Sequence, residues 1–407
     1  MNNTTVAFLT KLKKLEQQLT IARLSDFSYP DARDALNILR TRVKKKRIQV
    51  EESERFSTGT RNAILRDVNF LIVRLTAIAG IITRSASVRN AFELYAPFLE
   101  ICKSLVGNDA RLVLSSEWEY VPFTYPQNLA ELPEFIVIGL PASESDNVLI
   151  FPAAGHELGH SVWSKHGLAD KFKPRIEGHV SDALRRNLQE FEAVFPDVKG
   201  ADLDQDMFVQ YIKSSIVYSV NRQAEETFAD FIGLLLFGEG YLCAFEYLIA
   251  PQIVGARSKE YPETQERAAT LQKFANDKLG VARDGYSNSF SVDTPFRLPH
   301  DTFICSIADQ VVRELHEEIY SSANGIVTHS GINLPSADGT AAVLGAFIRG
   351  VPYDDSVALG DLINAAWHVF HSGEQENHRQ QGHGFADFIS DLVLKSAEIH
   401  EISRLLK

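Results

Sequence analysis

Apolar positions near the N-terminus fall at alternating four- and three-residue spacing. Phe8, Leu12, Leu15, Leu19 and Ala22 make one stripe, which predicts an amphipathic helix over residues 6–24. The repeat barely exceeds two heptads, so it reads as a helix packed on its own domain rather than a coiled coil between chains. A second helix is expected after Pro30, with Asp31 in its first turn. Residues 1–108 share this helical texture, and the run Lys44-Lys45-Lys46-Arg47 reads as a solvated helix face.

The pattern changes near residue 110. "ARLVLSSEWEYVPFTYP" and "EFIVIGLP" are rich in β-branched and aromatic residues and bounded by Pro, Gly and Asn, which predicts strands of a small sheet. "VLIFP" (148–152) reads as a further apolar strand, with Ala153, Ala154 and Gly155 turning the chain into a helix over 153–167. Residues 176–194 and 204–250 have helical periodicity. Beyond 251, helices over 303–323 and the C-terminal stretch alternate with loops at 285–301 and "GINLPSADG". The expected architecture is α+β and mostly helical, with a small sheet preceding the 153–167 helix. Three parts are expected: 1–108 a helical N-terminal region, 109–250 a core, and 251–407 a mostly helical lobe closing the cleft.

Composition narrows the classes. The 407 residues are 45% hydrophobic and 23% charged, an ordinary globular balance. A net charge of −12 argues against a generic nucleic-acid binder, which needs concentrated Lys and Arg. Cys102, Cys243 and Cys305 are odd in number and far apart, which points to a reducing compartment rather than a disulfide framework. The N-terminus has no apolar core with a small-residue cleavage site. The apolar windows 70–82 and 231–250 are interrupted by Arg74 and by Glu239 and Glu246, so neither reads as a membrane helix. A cytoplasmic protein without membrane or nucleic-acid partners is expected.

Chemistry enters with His156-Glu157-Leu158-Gly159-His160. Histidines four apart share a helix face, so two imidazoles can hold one cation, while Glu157 is rotated by about 100° and sits beside it. This is the mechanical content of the HExxH pattern. A catalytic zinc site needs a third protein ligand and one open position. Three residues could supply the ligand. His166 has the spacing of HExxHxxGxxH, but Trp163 stands where that pattern needs a helix-breaking glycine, and on a continued helix His166 faces away. Glu177 has roughly the downstream spacing of thermolysin-like enzymes. Glu226 lies in "NRQAEETFADFIGLLLFG", with Asp230 four residues on and Glu225 beside it on an otherwise apolar helix. Buried carboxylates there require pairing or coordination. Asp230 could accept the second ring N–H of His156 and orient it.

HELGH followed at a distance by ETFAD resembles the gluzincins, zinc peptidases with HExxH on one helix and ExxxD on the next. The resemblance covers 148–166 and 221–238. It implies a zincin-like catalytic core within 109–250 and one Zn²⁺ per chain held by His156, His160 and Glu226. It also implies Asp230 behind the ligands and Glu157 as the base that takes a proton from zinc-activated water during hydrolysis of a protein or peptide substrate. A non-peptide zinc hydrolase and a non-catalytic metal-binding protein remain as alternatives. Gluzincins also supply a downstream His or Tyr to stabilise the oxyanion. His329 is the favoured candidate, followed by Tyr320, Tyr353 and the group His368, His371, His378 and His383. If 134–140 is an edge strand, a peptide could add to it.

Overall fold

The helical texture of the first hundred residues becomes four helices: α1 (Asn3–Ala22), α2 (Pro30–Glu52), α3 (Thr58–Arg84) and α4 (Ala91–Val106). The computed structural model describes residues 3–87, 91–118, 123–124, 131–200, 202–250, 257–372 and 384–406. Leu12 and Leu19 of the α1 stripe are fully buried against α2 and α3, so the stripe is an intramolecular seam. The basic run is partly spent on neighbours, with Lys46 pairing Asp67 at 2.6 Å and Arg47 pairing Glu16 at 3.1 Å.

Three strands follow, β1 (Arg111–Glu117), β2 (Phe123–Thr124) and β3 (Phe135–Pro141), in the order β1-β3-β2. β3 runs parallel to β1 and antiparallel to β2. It is therefore the central strand, and the expectation of an edge open to a peptide at 134–140 fails.

Packing divides the chain into two units, Met1–Lys103 with Gly107–Asn147 and Glu401–Lys407, and Ser104–Val106 with Val148–His400. The sheet thus groups with the N-terminal helices, whereas the sequence pattern had placed it with the HExxH segment. The cause is long-range bonding. Asp31 accepts the backbone N–H of Leu112 (3.0 Å) and the Tyr95 hydroxyl (2.7 Å), and the Tyr29 hydroxyl takes the Leu114 N–H (2.7 Å).

The second unit contains α5 (Ala153–Lys165), α6 (Leu168–Arg186), α7 (Leu188–Val194), α8 (Met207–Phe237), α9 (Glu239–Ile249), α10 (Thr264–Leu279), α11 (Pro299–His329), α12 (Ala337–Ile348), α13 (Leu359–His371) and most of α14 (Phe385–Leu405). "VLIFP" is not a strand. Val148–Ile150 form a 3₁₀ turn whose backbone is satisfied by side chains: Ser390 Oγ takes the Val148 N–H and Trp367 Nε1 donates to the Leu149 carbonyl. Four buried apolar residues look the same in a strand and in such a turn.

α8 is the axis of this unit. Asp206 caps it by accepting the Phe208 and Val209 N–H groups, and Gly238, at φ +55°, ends it. From Gln223 to Phe237 every residue is buried. α5 crosses it at very close range. A Cβ on Gly159 would sit 2.5 Å from the Ala229 Cα, and one on Gly155 would sit 2.8 Å from the Phe237 ring. Trp163 anchors the next turn of α5, stacked on Phe172 (5.6 Å) and edge-on to Phe228 (5.3 Å). The residue that replaces the helix-breaking glycine is therefore a core residue. Among the described residues no helix is long and apolar enough to cross a membrane, and Cys102, Cys243 and Cys305 are buried and unpaired.

Gly159→Ala must push α5 off α8 and is expected to cost about 1–3 kcal/mol. Gly178→Ala, on α6 with nothing within 4 Å of the added methyl, should gain about 0.5–1 kcal/mol from helix propensity. Urea denaturation of both variants checks the pair; equal effects would contradict the crossing geometry.

Candidate metal centre

The α5–α8 crossing brings one face of each helix together. One ligating atom from each of His156, His160 and Glu226 can be chosen so that all lie within 4.8 Å of one another. Nε2 of His156 is 3.4 Å from Glu226 Oε2, and Nε2 of His160 is 3.7 Å from Oε1. His160 and Glu226 are buried, while the His156 side chain keeps 12% of its surface exposed. Glu226 Oε2 is buried with no hydrogen-bond partner among the described residues, an arrangement that costs free energy unless a cation meets it. Two imidazole nitrogens and a carboxylate oxygen fit a divalent ion of the zinc type held by three protein ligands.

Of the three candidates for the third ligand, Glu226 is the one the fold delivers. His166 turns its Nε2 to the Leu105 carbonyl at 3.0 Å, and Glu177 is exposed on α6. Asp230 lies where the helical spacing placed it, 2.9 Å from His156 Nδ1. Glu157 is buried beside the histidines.

Behind the ligands stand two parallel relays. His156 Nδ1 meets Asp230, which accepts two bonds from Arg267 of α10 (2.5 and 2.7 Å) and one from the Tyr241 hydroxyl of α9 (2.6 Å). His160 Nδ1 meets Glu225 at 3.0 Å, which accepts from Arg222 at 2.5 Å. Each carboxylate holds a ring by its Nδ1 and leaves Nε2 facing Glu226, as a metal-binding imidazole requires. The sequence reading missed Arg222, Tyr241 and Arg267 and the role of Glu225. Only the three- and four-residue steps from Arg222 to Glu225 and Glu226 were visible locally.

The oxyanion candidates do not join this group. His329 is exposed at the end of α11 and donates Nδ1–H to the Gly325 carbonyl of its own helix at 2.5 Å. Tyr320 packs in the core against Phe231 and Phe274, and Tyr353 lies against His400. His368 is 3.4 Å from Glu239, and the His371 ring lies against Trp367. His378 and His383 lie outside the described residues. Another tyrosine, Tyr261, stands in the field of the centre: the Glu226 charge first, then burial and Glu157, push its hydroxyl pKa up against Arg267 and Arg222.

Electrostatics couple the parts. Burial alone would lower the His156 pKa, but the Asp230 and Glu226 carboxylates beside its two nitrogens outweigh it and Arg267, pushing it up to about 10. Burial would raise Asp230, yet the Arg267 charge and hydrogen bonds, with His156, hold it well below the carboxylate range. Glu226 is likewise held low, against burial, by His156, His160 and Arg267.

Comparison of the chain with known protein families, curated proteins and solved structures finds no match.

A raised His156 pKa means that the proton stabilises the metal-free fold below the ordinary value of 6.5 and that this contribution fades as pH climbs through about 10. A metal ion must displace that proton. Zn²⁺ titration at about pH 8 should release about one proton per ion, and affinity should rise about tenfold per pH unit below that pKa. Calorimetry in buffers of different ionisation enthalpy reads it; heats independent of the buffer would refute it.

Proposed function

We propose that the chain is a zinc-dependent metallopeptidase of the gluzincin kind, with one Zn²⁺ held by His156, His160 and Glu226. The observation that carries this reading is the buried Glu226 carboxylate, whose Oε2 has no hydrogen bond among the described residues and whose two oxygens each face one imidazole Nε2, the other nitrogen of each ring being fixed by a carboxylate. Bound there, the ion supplies Lewis acidity to a carbonyl and acidity to a water. Glu157 takes the proton of the attacking water and returns it to the leaving amine. Its burial beside His156 suits a base that works away from bulk solvent.

Tyr261 takes the role first expected of His329, donating its hydroxyl to the developing oxyanion. Its turn is fixed from below. The buried Arg257 pairs with Asp309, donates to the Ser258 and Tyr261 carbonyls, and is itself held through its N–H to the Thr294 carbonyl (2.9 Å). Tyr261 is 44% exposed.

Glu157→Gln should keep a full complement of zinc and lose hydrolysis of a peptide library by about 10²–10⁴-fold; wild-type rates would sink the mechanism. Tyr261→Phe should lower kcat by about 10²-fold or more with little change in KM, while His329→Ala should behave as wild type. The reverse pattern, read from steady-state kinetics and metal content, would return the role to His329.

A further inference from the structure

The first half of α8 carries a strip of exposed side chains that ends at the metal centre. Met207, Tyr211, Ser214, Tyr218 and Arg222 repeat at four-, three-, four- and four-residue steps, which keeps them within about 80° of one another around the helix. Met207 is 87% exposed, Tyr211 74% and Tyr218 54%. Val209, Ile212 and Ile216 on the opposite side are buried. Single exposed apolar residues are ordinary, but three in line on one face make a continuous patch. The patch is also continuous with the site. Arg222 at its end bonds Glu225, with its Nη2 3.5 Å from Glu226, and the Tyr218 hydroxyl bonds Glu260, next to Tyr261.

Resting on the peptidase reading, we propose that this strip is a substrate track, on which an extended segment of an unfolded protein lies with apolar or aromatic side chains against Met207, Tyr211 and Tyr218. Tyrosine rings suit varied sequences, since each offers a large apolar face and a polar tip at low entropy cost. At 87%, 74% and 54% exposure these three side chains present at most roughly 540 Å². That falls short of the roughly 800 Å² per partner of a stable protein interface, so a bound peptide fits the ridge better than a second copy of the chain. The helix also sets a length. Tyr218 lies about 12 Å before Glu226 along the axis and Met207 about 28 Å before it. At about 3.3 Å per extended residue, these correspond to about four and about eight or nine substrate residues from the scissile bond.

The test uses the zinc-loaded protein and fluorogenic peptides that share one cleavable core, with an apolar flank grown from about two to about twelve residues on either side. The expected result is a kcat/KM that rises about tenfold or more between about four and nine flanking residues on one side and then levels off. A combined Met207→Ser, Tyr211→Ser and Tyr218→Ser variant should lose that rise and still cleave the shortest peptide at the wild-type rate. A glycine-serine flank of equal length should also lose it. Binding of the same peptides to zinc-loaded Glu157→Gln protein, read by anisotropy, separates the two readings. Length-dependent binding without any cleavage by the wild type keeps the track and sinks the peptidase. Cleavage and binding that ignore flank length, or a triple variant indistinguishable from wild type, overturn the track. A triple variant that only converts a dimer to a monomer in sedimentation assigns the strip to a second copy and overturns it as well.

Discussion

Four carboxylates buried in one small volume are the constraint around which α5, α8, α9 and α10 are arranged. Glu157, Glu225, Glu226 and Asp230 are 5%, 3%, 1% and 2% exposed. Several kcal/mol per charge oppose such burial unless each is paired. Arg222 pairs with Glu225 and Arg267 with Asp230, and a cation between the histidines would meet the charge of Glu226. A proton on His156 offsets part of the carboxylate charge in the metal-free chain, which is why its pKa is pushed up. The close crossing at Gly159 and Ala229 serves the same end: with larger residues there, the two ligand faces would stand too far apart to share an ion.

The two relays behind the histidines are not equivalent. Arg267 is 12% exposed at its side chain and also lies over the Phe245 ring at 4.9 Å, whereas Arg222 is 26% exposed. The pair behind His156 is thus shielded from salt, and the pair behind His160 meets solvent where α8 emerges from the core. Of the two relays, the one at Arg222 is therefore the one open to a molecule lying along the exposed half of α8.

What the sequence made legible was whatever helix geometry alone decides. The four-residue steps from His156 to His160 and from Glu226 to Asp230 place these groups on shared faces in any helix, and Trp163 argued correctly that α5 runs on past His160. The rest depended on contacts between distant segments. Arg267 sits in "ETQERAATL", a polar helix by pattern, and Tyr241 in an apolar one; only the fold aims both at Asp230. His329 precedes a loop in the sequence, but it closes α11 and its Nδ1 is bonded to the Gly325 carbonyl of that helix. The sheet was assigned to the wrong neighbours because side chains of Tyr29 and Asp31, some eighty residues earlier, complete its hydrogen bonding.

Spacing cannot say why Glu226 rather than Asp230 is the candidate ligand, since both project from one side of α8. Their partners decide it. Asp230 accepts from Arg267 twice, from Tyr241 and from His156, which uses about all the lone-pair positions a carboxylate has. It cannot turn toward an ion without breaking several charged bonds in a buried place. Glu226 has the opposite character, with one oxygen buried and without a hydrogen bond among the described residues, His156 Nε2 lying 3.4 Å and Arg267 Nη2 3.8 Å away. The difference between the two acids is therefore written by α9 and α10, which saturate Asp230 and leave Glu226 an oxygen that could meet a cation.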